Sequence, residues 1–336
     1  MQKKKMQTKV MSALALGLLS SAAMAQSSVT VYGIADAGLL VERGAPAGNT
    51  TKIGSGIASG SRIGIKGTED LGGGMALGFV LENGNNLDSG TAAQGGLLLG
   101  RQAFLRLTTP VGAFGIGRQY SPFYKVLDAV ADPFVTGLAG NSQNIFANNS
   151  RVDNSIEYST PQVAGFSADV MYGAGEVAGD STRNRNIAAS GTYSNGPLTV
   201  ALAHQQIDDA QAAAHSRNTM LAARYQFGGN VTVHAAHSRN KSVLDVDSKD
   251  SLLGLTLALP VGTLLVSYID HDDESSLRQD ARQAAVAYLY PLSRRTDLYT
   301  AYGHIINRNG AAFRVGTATD SGTGTTGFNL GVRHVF

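Results

Sequence analysis

Sixteen short alternating runs, joined by connections that are short and long by turns, constrain this chain more than any other feature. The last run, residues 327–336, shows the unit. Phe328, Leu330, Val332, His334 and Phe336 fall on one face of an extended chain, and Gly327, Asn329, Gly331, Arg333 and Val335 on the other. One greasy face and one smaller, more polar face over about ten residues suit a strand crossing a bilayer beside a watery lumen. Residues 62–70 repeat the unit, with Ile63, Ile65 and Gly67 opposed to Arg62, Gly64, Lys66, Thr68 and Asp70. A glycine-rich turn at residues 70–74 leads into residues 75–83. There Leu77, Phe79 and Leu81 face one way and Gly78 and Glu82 the other, so the two runs predict a hairpin.

The same grammar places strands at 29–39, 99–109, 113–118, 154–160, 165–174, 187–194, 198–206, 218–227, 231–238, 251–259, 263–270, 281–290 and 296–306. Tight Gly/Pro turns alternate with long polar connections at 42–60, 84–98, 119–153, 175–186, 207–217, 239–250, 271–280 and 307–326. That order gathers the turns at one end and the loops at the other, as in transmembrane barrels. A soluble sandwich gives no reason for such alternation. The expected fold is therefore all-β, a 16-stranded antiparallel transmembrane β-barrel. It has no internal domain boundary, because every strand needs its neighbours in lipid.

Residues 1–25 read as a secretory signal. Lys3, Lys4, Lys5 and Lys9 form a basic start, residues 10–19 a short apolar core, and Ala23-Met24-Ala25 a cleavage site. The expected organisation is a leader over 1–25 and one barrel domain over 26–336. Losing the leader removes four lysines and turns the formal charge from +2 to −2, so charge gives no case for nucleic-acid binding. No stretch approaches a helical membrane span. Cysteine is absent, which excludes disulfide and thiol chemistry. There is no Trp, and many of the 12 Tyr lie near strand ends, where rings with a polar tip suit a bilayer boundary. The stretch Gly322-Thr323-Gly324-Thr325-Thr326-Gly327 matches a dinucleotide fingerprint but precedes a strand, not a helix. His234 and His237 have a helical spacing on a strand, and no nucleophile motif occurs, so neither metal, cofactor nor catalytic residue is expected.

Six segments carry a family resemblance: Ser28-Val29-Thr30-Val31-Tyr32-Gly33, residues 61–72 (SRIGIKGTEDLG), Leu81-Glu82-Asn83-Gly84, Gly100-Arg101-Gln102-Ala103-Phe104, Gly117-Arg118-Gln119-Tyr120 and Gly331-Val332-Arg333-His334-Val335-Phe336. In this order and spacing the chain resembles the Gram-negative general porins, especially the neisserial and burkholderial branch. The resemblance implies a homotrimer of 16-stranded barrels in the outer membrane, in contact with lipid and lipopolysaccharide. It implies that the third long loop folds into each pore and that the outer-membrane assembly machinery reads Phe336. Passive diffusion of ions and small hydrophilic solutes follows, with weak to moderate anion preference. The alternatives are a substrate-specific channel or an outer-membrane barrel hydrolase.

The longest connection, 119–153, is the third long one, and a loop of that length is normally functional. By resemblance it is the constriction loop, with Asp128 and Asp132 facing a basic wall and Lys125 tempering their charge. The expected wall is Arg62, Arg118, Arg101, Arg151 and Lys66. Lys66 lies four residues nearer the tight turn than Arg62, hence below the narrowest point. Simple alternation puts Arg101 with Leu105 and Leu107, and Arg118 with Phe114 and Ile116, on the lipid side. Either a bulge or bend at the strand end re-aims them, or they are arginines at the headgroup boundary.

Overall fold

The structure, a computed structural model, describes residues 28–336 except Asn148, Ala212, Asp245 and Val246. The expected leader lies outside the described residues. The strands are β1 (Ser28–Arg43), β2 (Thr50–Ser55), β3 (Arg62–Gly72), β4 (Met75–Asn86), β5 (Thr91–Ala92), β6 (Gln102–Thr109), β7 (Gly112–Tyr120), β8 (Arg151–Ser159) and β9 (Phe166–Gly173). They continue as β10 (Asn186–Asn195), β11 (Leu198–Asp208), β12 (His215–Phe227), β13 (Val231–Lys241), β14 (Asp247–Ala258), β15 (Thr263–Asp273), β16 (Ala281–Pro291), β17 (Thr296–Asn307) and β18 (Thr326–Val335).

Sixteen of these are barrel staves, in agreement with the expected count. β2 and β3 lie end to end along β1: Thr50–Ser55 pairs with its outer half and Arg62–Ile65 onward with its inner half. They share one place in the wall. β5 is a two-residue ladder on the outer tip of β4. All pairings are antiparallel, and β1 closes the ring on β18 with Ile34 opposite Val335 and Arg43 opposite Thr326. Beyond that ladder, Phe336 exchanges backbone bonds with Gly33, at 3.0 and 3.1 Å. The staves run further into the long loops than alternation alone marks, as in β12, which begins at His215 rather than 218.

The outward face is an apolar belt that includes Val29, Val31, Leu105, Ile116, Leu202, Leu221, Leu253 and Leu330, all well exposed. Phe114 packs on Tyr158, Phe166 on Tyr193 and Tyr225 on Phe227, all near the tight-turn end. The Tyr158 and Tyr288 hydroxyls donate to the turn carbonyls of Val111 and Val261, both at 2.6 Å. These rings match the expected boundary placement. Tyr299 and Tyr32 do not. Tyr299 is buried in the lumen and donates to Asp36 at 2.5 Å, and Tyr32 donates to Glu82 at 2.9 Å.

The hydrophobic core lies inside the barrel. Phe123, Val126, Leu127, Val130, Phe134, Leu138 and Phe146 of the third long loop are buried. They pack with inward residues of the far wall, mostly small ones: Ala201, Ala203, Ala222, Ala236, Ala285 and Ala301, with Met220 and Leu252. At that level this half of the lumen is largely apolar, and the loop covers it. The slot left open lies against the other half.

Candidate functional site

The loop enters through a short helix, α1 (Pro122–Val126). Ser121 caps it by accepting the Tyr124 amide at 3.1 Å, and Pro122 takes the first-turn position where no N–H is needed. The Ser121 hydroxyl also donates to Asn149 O at 2.6 Å, pinning the loop's exit to its entrance. A π-turn, Leu127–Ala131, carries the chain along β12 and β13, where Arg224 donates to Ala129 O at 2.9 Å and His234 Nδ1 meets Val130 O at 3.0 Å. The loop then crosses to the seam, where Leu138 N donates to Ile57 O at 2.7 Å. On the way back Gln283 Nε2 donates to Gly140 O at 3.1 Å and its Oε1 accepts from Asn144 at 2.9 Å. At Gly303 the loop comes so close that a Cβ would collide with the Ala139 carbonyl, so only glycine allows that approach.

Against the uncovered wall lies a cavity of about 510 Å³ lined by Arg62, Arg101, Arg151, Lys125, Asp128 and Tyr120, among others. Arg62 points inward from β3, as alternation requires. Its Nε donates to Gly60 O at 2.8 Å. Arg101 faces the lumen because it precedes the ladder, which begins at Gln102. Its Nε donates to buried Glu82 at 2.8 Å and its Nη2 to Tyr120 OH at 2.6 Å. Arg151 starts β8, donates to the same phenol oxygen at 3.1 Å, and lies over the Tyr120 ring at 4.8 Å. Tyr120 in turn stacks on Tyr124 of α1 at 4.9 Å. Glu82 is 4.0 Å from Arg62, so one carboxylate sits behind two guanidiniums.

Asp128 faces this cluster from the loop. Its Oδ1 accepts the Thr136 hydroxyl at 2.6 Å, and burial raises its carboxyl above the ordinary range. The four cations lining the cavity thus outnumber its one carboxylate.

Two expected members are elsewhere. Arg118 pairs across the ladder with Ala103 and shares a face with outward Ile116. Gln119 keeps the inward parity of Gly115 and Gly117, and Arg118 stays outside opposite a bulge in β8, where it pairs with exposed Asp153 and donates from Nε to Gly100 O at 2.8 Å. Alternation was right there and the expectation of a pore wall was not. Among the described residues Asp132 makes no ion pair with an arginine. It is buried within the loop, accepting amides of Phe134, Thr136 and Ser142 at 2.8, 3.2 and 2.9 Å. Burial, outweighing those donors, pushes its carboxyl up to about 6. Lys66 lies on the inward face below the slot, over the Tyr32 ring at 5.0 Å.

Sequence reasoning passed over Arg224 and Arg333, which line a second cavity of about 560 Å³ that shares Ser59, Asp128, Ala129 and Val135 with the first. Arg333 bonds Asp297 at 3.0 Å and Ser59 at 2.9 Å. Its place on the polar face of the final run was the available signal.

Residues 12–310 match the family model for Gram-negative porin. The chain belongs to the Gram-negative porin family. It is a channel protein of the outer membrane, not an enzyme. This porin is 30% identical to outer membrane porin protein 32 of Delftia acidovorans, over 96% of its own length and 98% of that protein. It is 28% identical to major outer membrane protein P.IB of Neisseria meningitidis serogroup B, over 96% and 98%. Among solved structures it is similar to the anion-selective porin from Comamonas acidovorans. The TM-score is 0.77 at 27% identity, covering 93% of this chain and all of that one.

Proposed function

We propose that the porin conducts ions and small hydrophilic solutes with a preference for anions, and that Arg62, Arg101 and Arg151 set this preference opposite Asp128. The observation that carries the reading is the convergence of these three arginines, from β3, from just before β6 and from the start of β8, on one cavity lined by four cations and one carboxylate. Fixed charge in a narrow wet slot raises the local concentration of the opposite ion. The similar Comamonas protein, described as anion-selective, points the same way. Reversal potentials in asymmetric KCl test the reading: zero-current voltages that favour chloride support it, and a clear preference for potassium overturns it while leaving the pore itself intact.

Removal of residues 1–25 on export rests on their basic start, short apolar core and Ala23-Met24-Ala25. Assembly as a homotrimer amid lipid and lipopolysaccharide, and recognition of Phe336 by the assembly machinery, rest on family resemblance. Cross-linking of the refolded protein and mass spectrometry of its mature N-terminus check the first two.

A further inference from the structure

Below the slot, toward the tight turns, the same wall opens into a recess of about 260 Å³. Lys66 and Thr68 enter it from β3, Arg106 and Thr108 from β6, and Thr30 from β1. β4 lies between β3 and β6, and its inward-facing positions at this level are Ala76, Gly78 and Val80, with Phe79 between them turned to the other face. Gly78 stands opposite both Thr68 and Arg106, and Val80 opposite Lys66. Neighbouring strands are ~4.8 Å apart, so the two cations flank a gap of about 10 Å across one nearly bare strand.

The charge in this recess is incompletely matched. The Lys66 ammonium rests on the Tyr32 ring, and among the described residues no carboxylate pairs with it. Arg106 Nη1 reaches Glu157 at 3.4 Å, but that buried carboxylate also holds Lys125. The bareness of β4 is not demanded by the backbone. A Cβ on Gly78 would meet nothing nearer than the Gly67 carbonyl oxygen at 3.4 Å, an ordinary contact. A side chain could fill the recess, and none does.

We propose that this recess is an exit-side station for small oxyanions, such as phosphate or a carboxylate, held between Lys66 and Arg106. The hydroxyls of Thr30, Thr68 and Thr108 are neutral donors for oxygens that a halide does not carry. The station deepens the anion-channel reading and rests on it.

The test is single-channel recording of the full protein in planar bilayers at fixed chloride, with inorganic phosphate titrated on both sides. Phosphate lowers the wild-type chloride current along a saturating curve. Gly78→Asp places a carboxylate in the recess and weakens apparent phosphate affinity about tenfold. Lys66→Gln weakens it about threefold, and Lys66→Arg restores it. Wild-type phosphate inhibition surviving in both Gly78→Asp and Lys66→Gln locates phosphate in the slot alone and overturns the station. An open wild-type channel with no phosphate inhibition overturns the station but not the porin assignment. A chain that forms no open channel overturns both.

Discussion

Single side chains divide here by a shift of one residue. Arg101 and Arg118 flank β6 and β7, and both have outward parity in the sequence, yet only Arg101 reaches the slot. Buried Glu82 draws Arg101 in. Exposed Asp153 holds Arg118 out. Arg101→Gln is therefore expected to lower the chloride-to-potassium permeability ratio about threefold, the scale of one charge at several ångströms in a wet pore. Arg118→Gln leaves the ratio unchanged in the same bilayer measurement. Asp132 gives a pH prediction. Its carboxyl value in the folded loop, about 6, lies above the ordinary carboxylate range. The folded loop therefore favours the protonated form. That stabilisation is complete below about pH 4 and is lost as pH rises through about 6. Relative to Asp132→Asn, which cannot ionise, the wild type loses about 2–3 kcal/mol across that window. Urea unfolding of the two proteins from pH 4 to 7 checks this.

Among the elements, the third loop determines how much of the barrel is open. It holds its place through one apolar face and a few polar anchors. Its apolar residues rest on inward alanines of the far wall, and Gln283 ties its return segment there. Gln283→Ala removes two or three hydrogen bonds from a fully buried site, a cost of about 1–3 kcal/mol borne by the loop alone. The barrel is expected to fold normally, and single-channel traces to show a noisier open level. A quiet, wild-type level would mean the apolar contacts alone fix the loop. The existence of this loop was legible from its length and position. Its internal staple was not, because the three amides that meet Asp132 belong to residues two, four and ten positions onward in irregular backbone.

At the scale of the molecule, closure rests on the seam of β1 and β18. The Phe336 ring covers Gly33, where a Cβ would collide with that ring and approach Arg62 O at 2.5 Å. Gly33→Val is expected to prevent the terminal residue from docking and to cost about 1–3 kcal/mol through overpacking. A lowered temperature for loss of the compact, heat-modifiable band in detergent gels would show it, and an unchanged transition would mean the seam closes without this contact.

The sequence by itself determined the strands, their number, the ends at which turns and loops gather, and the inward direction of Arg62 and Lys66. All of these follow from a local rule, the two-residue period of an extended chain. Tertiary structure alone decided where side chains at the strand ends go. Arg101 and Arg151 lie at ladder ends and Asp132 in a loop, so alternation does not govern them, while Arg118 keeps its outward parity opposite a bulge in β8. Their directions depend on Glu82, Tyr120, Asp153 and the loop's own amides, partners supplied by other strands or by irregular backbone. The apolar half of the lumen was hidden for the same reason. Inward alanines look like a poor lumen until a loop from elsewhere in the chain lies down on them, and the slot is what that loop leaves uncovered.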